Sequence, residues 1–204
     1  GSGLREAELP CLDRSTAATR GCFVAVAGPS GAGKDTLIAC AAERLAREPW
    51  ICFVSRVITR PADPASADHD SLSEEAFRRA EAAGAFSLTW GAHGLRYGLP
   101  ASVDEQLAQG VSVVANVPRQ CLDRAARRFG PLQVVQVTVR PELLAERLAA
   151  RRREKAADIA ARLQRQVPLE LPTPHCRLLE IDNSGELETA VSRFLEYLRS
   201  LRLP

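Results

Sequence analysis

No apolar run in this 204-residue chain is long enough to cross a membrane, and its start lacks the basic-then-apolar pattern of a signal peptide. Six cysteines are present, Cys11, Cys22, Cys40, Cys52, Cys121 and Cys176, but no two form a Cys-x-x-Cys pair. Their scatter fits neither a zinc site nor a disulfide framework. Most stand beside apolar residues and read as buried, reduced thiols, which makes the cytoplasm the expected compartment. A charge excess is also lacking: the net charge is only +2, so nothing in the balance argues for a nucleic-acid partner. Among the basic residues lysine is scarce. Of 27 basic side chains, two are lysine (Lys34 and Lys155) and 25 are arginine. A lysine kept against that bias marks a position where a compact ammonium serves and a planar guanidinium does not.

What is present is ordinary for a globular protein: 46% hydrophobic and 25% charged residues, in a length that suits one compact domain. Gly1-Ser2-Gly3, with no initiator methionine, reads as a tag remnant, and residues 1–20 as a flexible segment ahead of a single domain over 21–204. The runs 22–27, 51–55, 111–115, 134–139 and 178–181 have buried-strand character. Helical spacing covers 36–47, 119–129, 142–152 and 186–201, with Pro141 at a tolerated first-turn position. This alternation predicts an α/β fold with a mainly parallel sheet flanked by helices. Residues 56–100 interrupt it with Pro, Asp, Ser, His and Gly and one helix expected near 73–83. That stretch reads as a substrate-covering segment, and the arginine-dense 151–157 as a lid.

Between the first strand and the first helix stands Gly28-Pro29-Ser30-Gly31-Ala32-Gly33-Lys34, which matches the G-x-x-x-x-G-K pattern of a phosphate-binding loop. Glycines admit backbone geometry that aims successive N–H groups at phosphate oxygens, and the following helix adds its positive dipole end. Lys34 is placed to reach β- and γ-phosphates. The next residue is Asp35, where serine or threonine is usual, with Thr36 one place later. A carboxylate suits Mg²⁺, so Asp35 is a candidate metal-shell residue and Thr36 a phosphate contact. Asp35 equally suits the dipole of a helix first turn.

After the second strand, Ser55-Arg56-Val57-Ile58-Thr59-Arg60-Pro61 carries two arginines four apart. They suit bidentate recognition of a substrate phosphate, and they equally suit a solvated surface. Taken with residues 28–36, this segment resembles guanylate kinases, as does the Tyr97-Gly98 step. The likeness is closer to the ribose 1,5-bisphosphate phosphokinases of bacterial phosphonate breakdown. It is carried by Gly33-Lys34-Asp35-Thr36, Ile58-Thr59-Arg60-Pro61, His69 with Leu72-Ser73-Glu74-Glu75-Ala76-Phe77, and the run 88–98. Val113-Val114-Ala115-Asn116 with Arg119, and the stretch from Glu146-Arg147-Leu148 to Arg162-Leu163, continue it across residues 23–201. Three steps depart from the pattern: Ser66-Ala67-Asp68 before His69, Val117-Pro118 between Asn116 and Arg119, and Arg152 where the lid usually has glycine.

The resemblance implies a P-loop fold of the nucleoside monophosphate kinase type. It implies transfer of a phosphoryl group from ATP to α-D-ribose 1,5-bisphosphate, with Mg²⁺ as cofactor. The implied nucleotide site comprises residues 28–36 with Arg147 and Arg151. The implied acceptor site comprises Arg56, Arg60, His69, His93, Tyr97, Asn116 and Arg119, and Trp90 reads as core or cleft wall. Lys34, Arg153 and Arg162 are the implied catalytic charges. The arginines of 147–162 equally suit a helix face paired with Glu146, Glu154 and Asp158. The expected partner is a small molecule, with no nucleic acid and no membrane; a homodimer is compatible. Two other readings stay open: a nucleoside monophosphate kinase such as guanylate kinase, and a non-catalytic binding module of that shape.

Overall fold

In the computed structural model, residues 20–29, 31–59, 69–150 and 169–202 are described. The expectations for residues 1–19, Ser30, Arg60 and the lid arginines Arg151, Arg153 and Arg162 lie outside them. Nine strands are found among the described residues: β1 (Phe23–Ala27), β2 (Ile51–Phe53), β3 (Arg56–Ile58), β4 (His69–Ser71), β5 (Phe86–Ala92), β6 (Leu95–Pro100), β7 (Ser112–Asn116), β8 (Gln133–Thr138) and β9 (Arg177–Asp182). The helices are α1 (Lys34–Arg44), α2 (Glu74–Ala82), α3 (Ser102–Ala108), α4 (Leu122–Phe129), α5 (Pro141–Ala150) and α6 (Leu187–Ser200). No helix among the described residues is long and apolar enough to cross a membrane.

The main sheet has the order β2-β7-β1-β8-β9, and every pairing in it is parallel. Its central strand is buried on both faces, which is why 23–27 is apolar without alternation. Phe23 and Ala25 join a cluster with Trp90, Tyr97, Leu107 and Phe129, where Phe23 stacks on Phe129 at 4.3 Å. Val24 and Val26 face the other way, onto Leu37 and Ala41 of α1, Leu144 of α5 and Phe194 of α6. Each fully buried Phe or Leu in these clusters contributes on the order of 1.5–3 kcal/mol.

The segment 56–100 differs from expectation. Instead of one helix in irregular chain it forms a second sheet, β4-β3-β6-β5, with α2 between β4 and β5. Strands β3 and β4 have three residues each, too short to show a period. Strands β5 and β6 carry Gly91, Gly98 and Pro100, which read as breakers. Gly98 is there for a close approach: a Cβ on it would lie 2.7 Å from the Phe86 ring on the neighbouring strand. The helix itself falls where expected, with Ser73 Oγ accepting from Ala76 N at 3.1 Å as its N-cap.

Candidate active site

The first strand of the main sheet ends at Ala27, and the chain turns into α1 at Lys34. Between them Ala32 N donates to Pro29 O at 3.2 Å, and Gly33, in the left-handed region at φ 83°, opens the helix. The turn holds Gly31, Gly33, Lys34, Asp35 and Thr36 on one wall of a cleft of about 260 Å³. Across the cleft stand Arg56 on β3, Trp90 and Ala92 on β5, His93 and Tyr97. Asn116, at the carboxyl end of β7, and Pro118 complete the lining. A cleft at the carboxyl ends of parallel strands is where open α/β sheets bind ligands.

Two local devices shape the far wall. His93-Gly94 joins β5 to β6 with both residues at positive φ, 53° and 74°, between the paired residues Ala92 and Leu95. This is the two-residue turn that matches strand twist, and it sets His93 at the cleft. The second device is a three-layer stack. Trp90 and Tyr97, directly opposed on β5 and β6, lie 5.7 Å apart with planes 2° from parallel, and the Arg56 guanidinium carbon sits 5.4 Å over the Tyr97 ring. Trp90 is 3% exposed, so the stack is anchored in the core and leads out to a cation at the cleft. Thr59 ties the segment after β3 to the hairpin: its N–H donates to Arg96 O at 3.1 Å and its Oγ1 accepts from Arg96 N at 2.8 Å.

Electrostatically the cleft is positive at both walls. Burial pushes the Lys34 ammonium down to about 8, Asp35 next to it pulls the other way, and the facing Arg56 lowers it further. Asn116 Nδ2 donates to Asp35 Oδ1 at 2.9 Å, which turns one carboxylate into the cleft without a buried ion pair. No group of three or more His, Cys, Asp or Glu side chains suited to hold a metal is found among the described residues. A lone carboxylate beside a hydroxyl fits Mg²⁺ delivered on a nucleotide, since that ion keeps waters and takes one or two carboxylates plus phosphate oxygens.

The loop is braced from behind by two side chains. Asn183, immediately after β9 and 4% exposed, donates from Nδ2 to Ala32 O at 2.8 Å. Arg147 on α5 donates to Asn183 O at 3.2 Å and to Gly31 O at 3.5 Å.

Known relatives sharpen this picture. No family model matches the chain. The ribose 1,5-bisphosphate phosphokinase PhnN of Brucella melitensis is 46% identical over 182 residues, covering 89% of this chain and 94% of that protein. The enzyme of the same name from Chelativorans is 48% identical over 181 residues, covering 88% and 86%. The chain belongs to the ribose 1,5-bisphosphate phosphokinase family. Its fold is that of the P-loop kinases: a guanylate kinase from Anaplasma phagocytophilum superposes with a TM-score of 0.64 over 91% of this chain and 88% of that one, at 17% identity.

Of the family-implied site residues, the structure brings Gly31, Gly33, Lys34, Asp35, Thr36, Arg56, His93, Tyr97 and Asn116 to one cleft. Gly28, Pro29 and Ala32 lie in the same turn without lining it. Arg119 sits in the single 3₁₀ turn after β7, exposed and outside the lining. His69 is on β4, paired with Arg56 on β3. Arg147 contacts the rear of the loop. Asn183 was not singled out by the sequence reading. The signal was available: an amide at the carboxyl end of the last parallel strand, in the turn-like Asp182-Asn183-Ser184-Gly185.

Proposed function

We propose that the protein transfers the γ-phosphoryl group of ATP to the anomeric phosphate of α-D-ribose 1,5-bisphosphate, giving 5-phosphoribosyl 1-diphosphate and ADP. The observation that carries this reading is the single cleft with two cationic walls, Lys34 on the loop and Arg56 on the opposed stack, in a chain that spans nearly the whole length of relatives named for that reaction. A donor phosphate chain on one wall and an acceptor phosphate on the other bring two anions into line.

An oxygen of the acceptor phosphate forms a bond to the γ-phosphorus as the bond from that phosphorus to the β-bridging oxygen breaks, and the electron pair stays on ADP. The acceptor oxygen is already anionic, so no side chain has to remove a proton. The chain's work is positioning and charge neutralisation. Loop N–H groups such as that of Gly33, together with Lys34, hold the β- and γ-oxygens. Arg56 and Tyr97, with Arg60, hold an acceptor phosphate, and His93, His69, Asn116 and Arg119 serve the ribose and its second phosphate. Arg153 and Arg162, with Arg151 nearer the nucleotide, are assigned to charge that develops in transfer, while Arg147 supports the loop through Gly31 O and Asn183 O. Asp35, oriented by Asn116, would hold Mg²⁺, which would screen the repulsion between the phosphates. An amide at Asn116 suits a sugar phosphate that offers no guanine to an acid. The reaction belongs to phosphonate breakdown in the cytoplasm.

Phosphorus NMR of the enzyme with MgATP and ribose 1,5-bisphosphate tests this, with GMP in a parallel tube. The expected result is a new diphosphate doublet pair in the first tube only. Turnover of GMP without turnover of the ribose bisphosphate refutes it in favour of a nucleoside monophosphate kinase.

A further inference from the structure

We propose that Asn183 is a positioning residue of the nucleotide site, holding the Ala32–Gly33 peptide so that the Gly33 N–H faces the phosphates. The inference rests on the reading of residues 28–36 as the phosphate loop and adds to it a residue outside the motif.

A trans peptide points its C=O and its N–H in opposite directions. Asn183 Nδ2 fixes Ala32 O on the protein side at 2.8 Å, so the Gly33 N–H of the same peptide is turned the other way. Gly33 lines the cleft on that side. Asn183 is itself held in place by its backbone. Its backbone N–H donates to Thr138 O at 2.7 Å, its carbonyl accepts from Arg147 Nη2 at 3.2 Å, and it is 4% exposed. The fit with the loop is mutual. A Cβ at position 33 would lie 2.4 Å from Asn183 Nδ2, so the brace occupies space that exists because residue 33 is glycine. The glycine of the motif therefore serves two purposes: it adopts φ 83°, and it admits the amide that orients it.

Removing the donor leaves Ala32 O buried without that partner and frees the peptide to rotate. The loss falls on groups that touch the β-phosphate, so it distinguishes ADP from AMP. Calorimetric titration of the folded enzyme with MgADP and with AMP at pH 8 reads this in the wild type, Asn183→Ala and Asn183→Asp. Asn183→Asp keeps the volume, and its carboxylate repels Ala32 O. The expected result is ADP affinity lowered roughly tenfold in both variants with AMP affinity held within about twofold. The KM for ribose 1,5-bisphosphate is expected to stay at the wild-type value. Unchanged ADP affinity overturns the proposal, and so does an equal loss for ADP and AMP, which marks a general structural role. If Asn183→Asp does not fold, Asn183→Ala decides alone. If the wild type itself binds no ADP, the phosphate-loop reading falls, which is a different failure from a wild type that binds and a variant that binds equally well.

Discussion

Nucleotide binding to this enzyme should take up a proton in a pH range where the nucleotide has none to give. In the empty cleft the Lys34 ammonium titrates at about 8, because burial strips it of water and Arg56 faces it. Phosphate oxygens around it favour the charged form and return it toward or above the ordinary lysine value of about 10.4. The uptake on binding equals the fraction of Lys34 that is neutral beforehand: ~0.1 proton at pH 7, ~0.5 at pH 8 and ~0.9 at pH 9. The terminal phosphate of a nucleotide titrates near 6, so it contributes little above pH 8. Affinity for ADP should fall about fivefold between pH 8 and pH 9 for the same reason. Calorimetric titrations at each pH, in buffers of different ionisation heat, give the uptake from the slope of observed enthalpy against buffer enthalpy. A slope near zero at pH 8 and 9, or one that shrinks as pH rises, refutes the argument. Lys34→Arg is the control, since a guanidinium stays charged throughout and its slope should vanish wherever it still binds.

The same depressed value has a stability consequence. A lysine that titrates lower when folded costs stability at neutral pH; the cost is full below pH 8 and disappears as pH rises through about 10.4. Lys34→Met should therefore raise the stability of the nucleotide-free protein by about 1–2 kcal/mol at pH 7, read by urea denaturation, while lowering kcat about a thousandfold or more; a destabilised variant contradicts the burial account. Asp35→Ala should raise the Mg²⁺ concentration that half-saturates turnover by roughly tenfold, and an unchanged requirement leaves Asp35 as a helix-dipole acid only. Trp90→Leu removes the inner layer of the stack, worth about 1 kcal/mol, so the KM for ribose 1,5-bisphosphate should rise roughly fivefold with the KM for ATP unchanged. A matching rise in both would mean that Trp90 acts only through the core.

The main sheet was legible because its inner strands β1, β7 and β8 are buried on both faces and sit next to glycines and helical spacing that break the run. β1 could be read to within one residue at its start, and the turn into α1 could be named from Gly28, Gly31 and Gly33 before any geometry was known. The second sheet was not legible. Its strands take their stability from pairing across the chain, Ile58 with Tyr97 and Trp90 with Tyr97, and a three-residue strand such as β3 has no period to detect. Its contribution to the site, the stack that ends at Arg56, depends on that register. Arg56 was therefore identifiable as a residue type and by family likeness, while the reason it stays in place was not. Asn183 lies farther still from local logic, because it acts on a peptide 151 positions away in sequence.

The shortage of lysine then acquires a physical meaning. Arginine at the other basic positions except Lys155 supplies a charge that never titrates, which suits an acceptor position such as Arg56. At position 34 a permanent charge would have to be held, desolvated, opposite Arg56 in every molecule without a nucleotide. A lysine at about 8 sheds part of that charge when the cleft is empty and recovers it from solvent when phosphates arrive. Its point-like ammonium also fits between loop amides that a planar fork would push apart. The cleft thus keeps a titratable lysine where the donor binds and a fixed guanidinium, Arg56, across from it. The binding energy of the nucleotide includes the work of charging Lys34, and proton uptake measures that share directly.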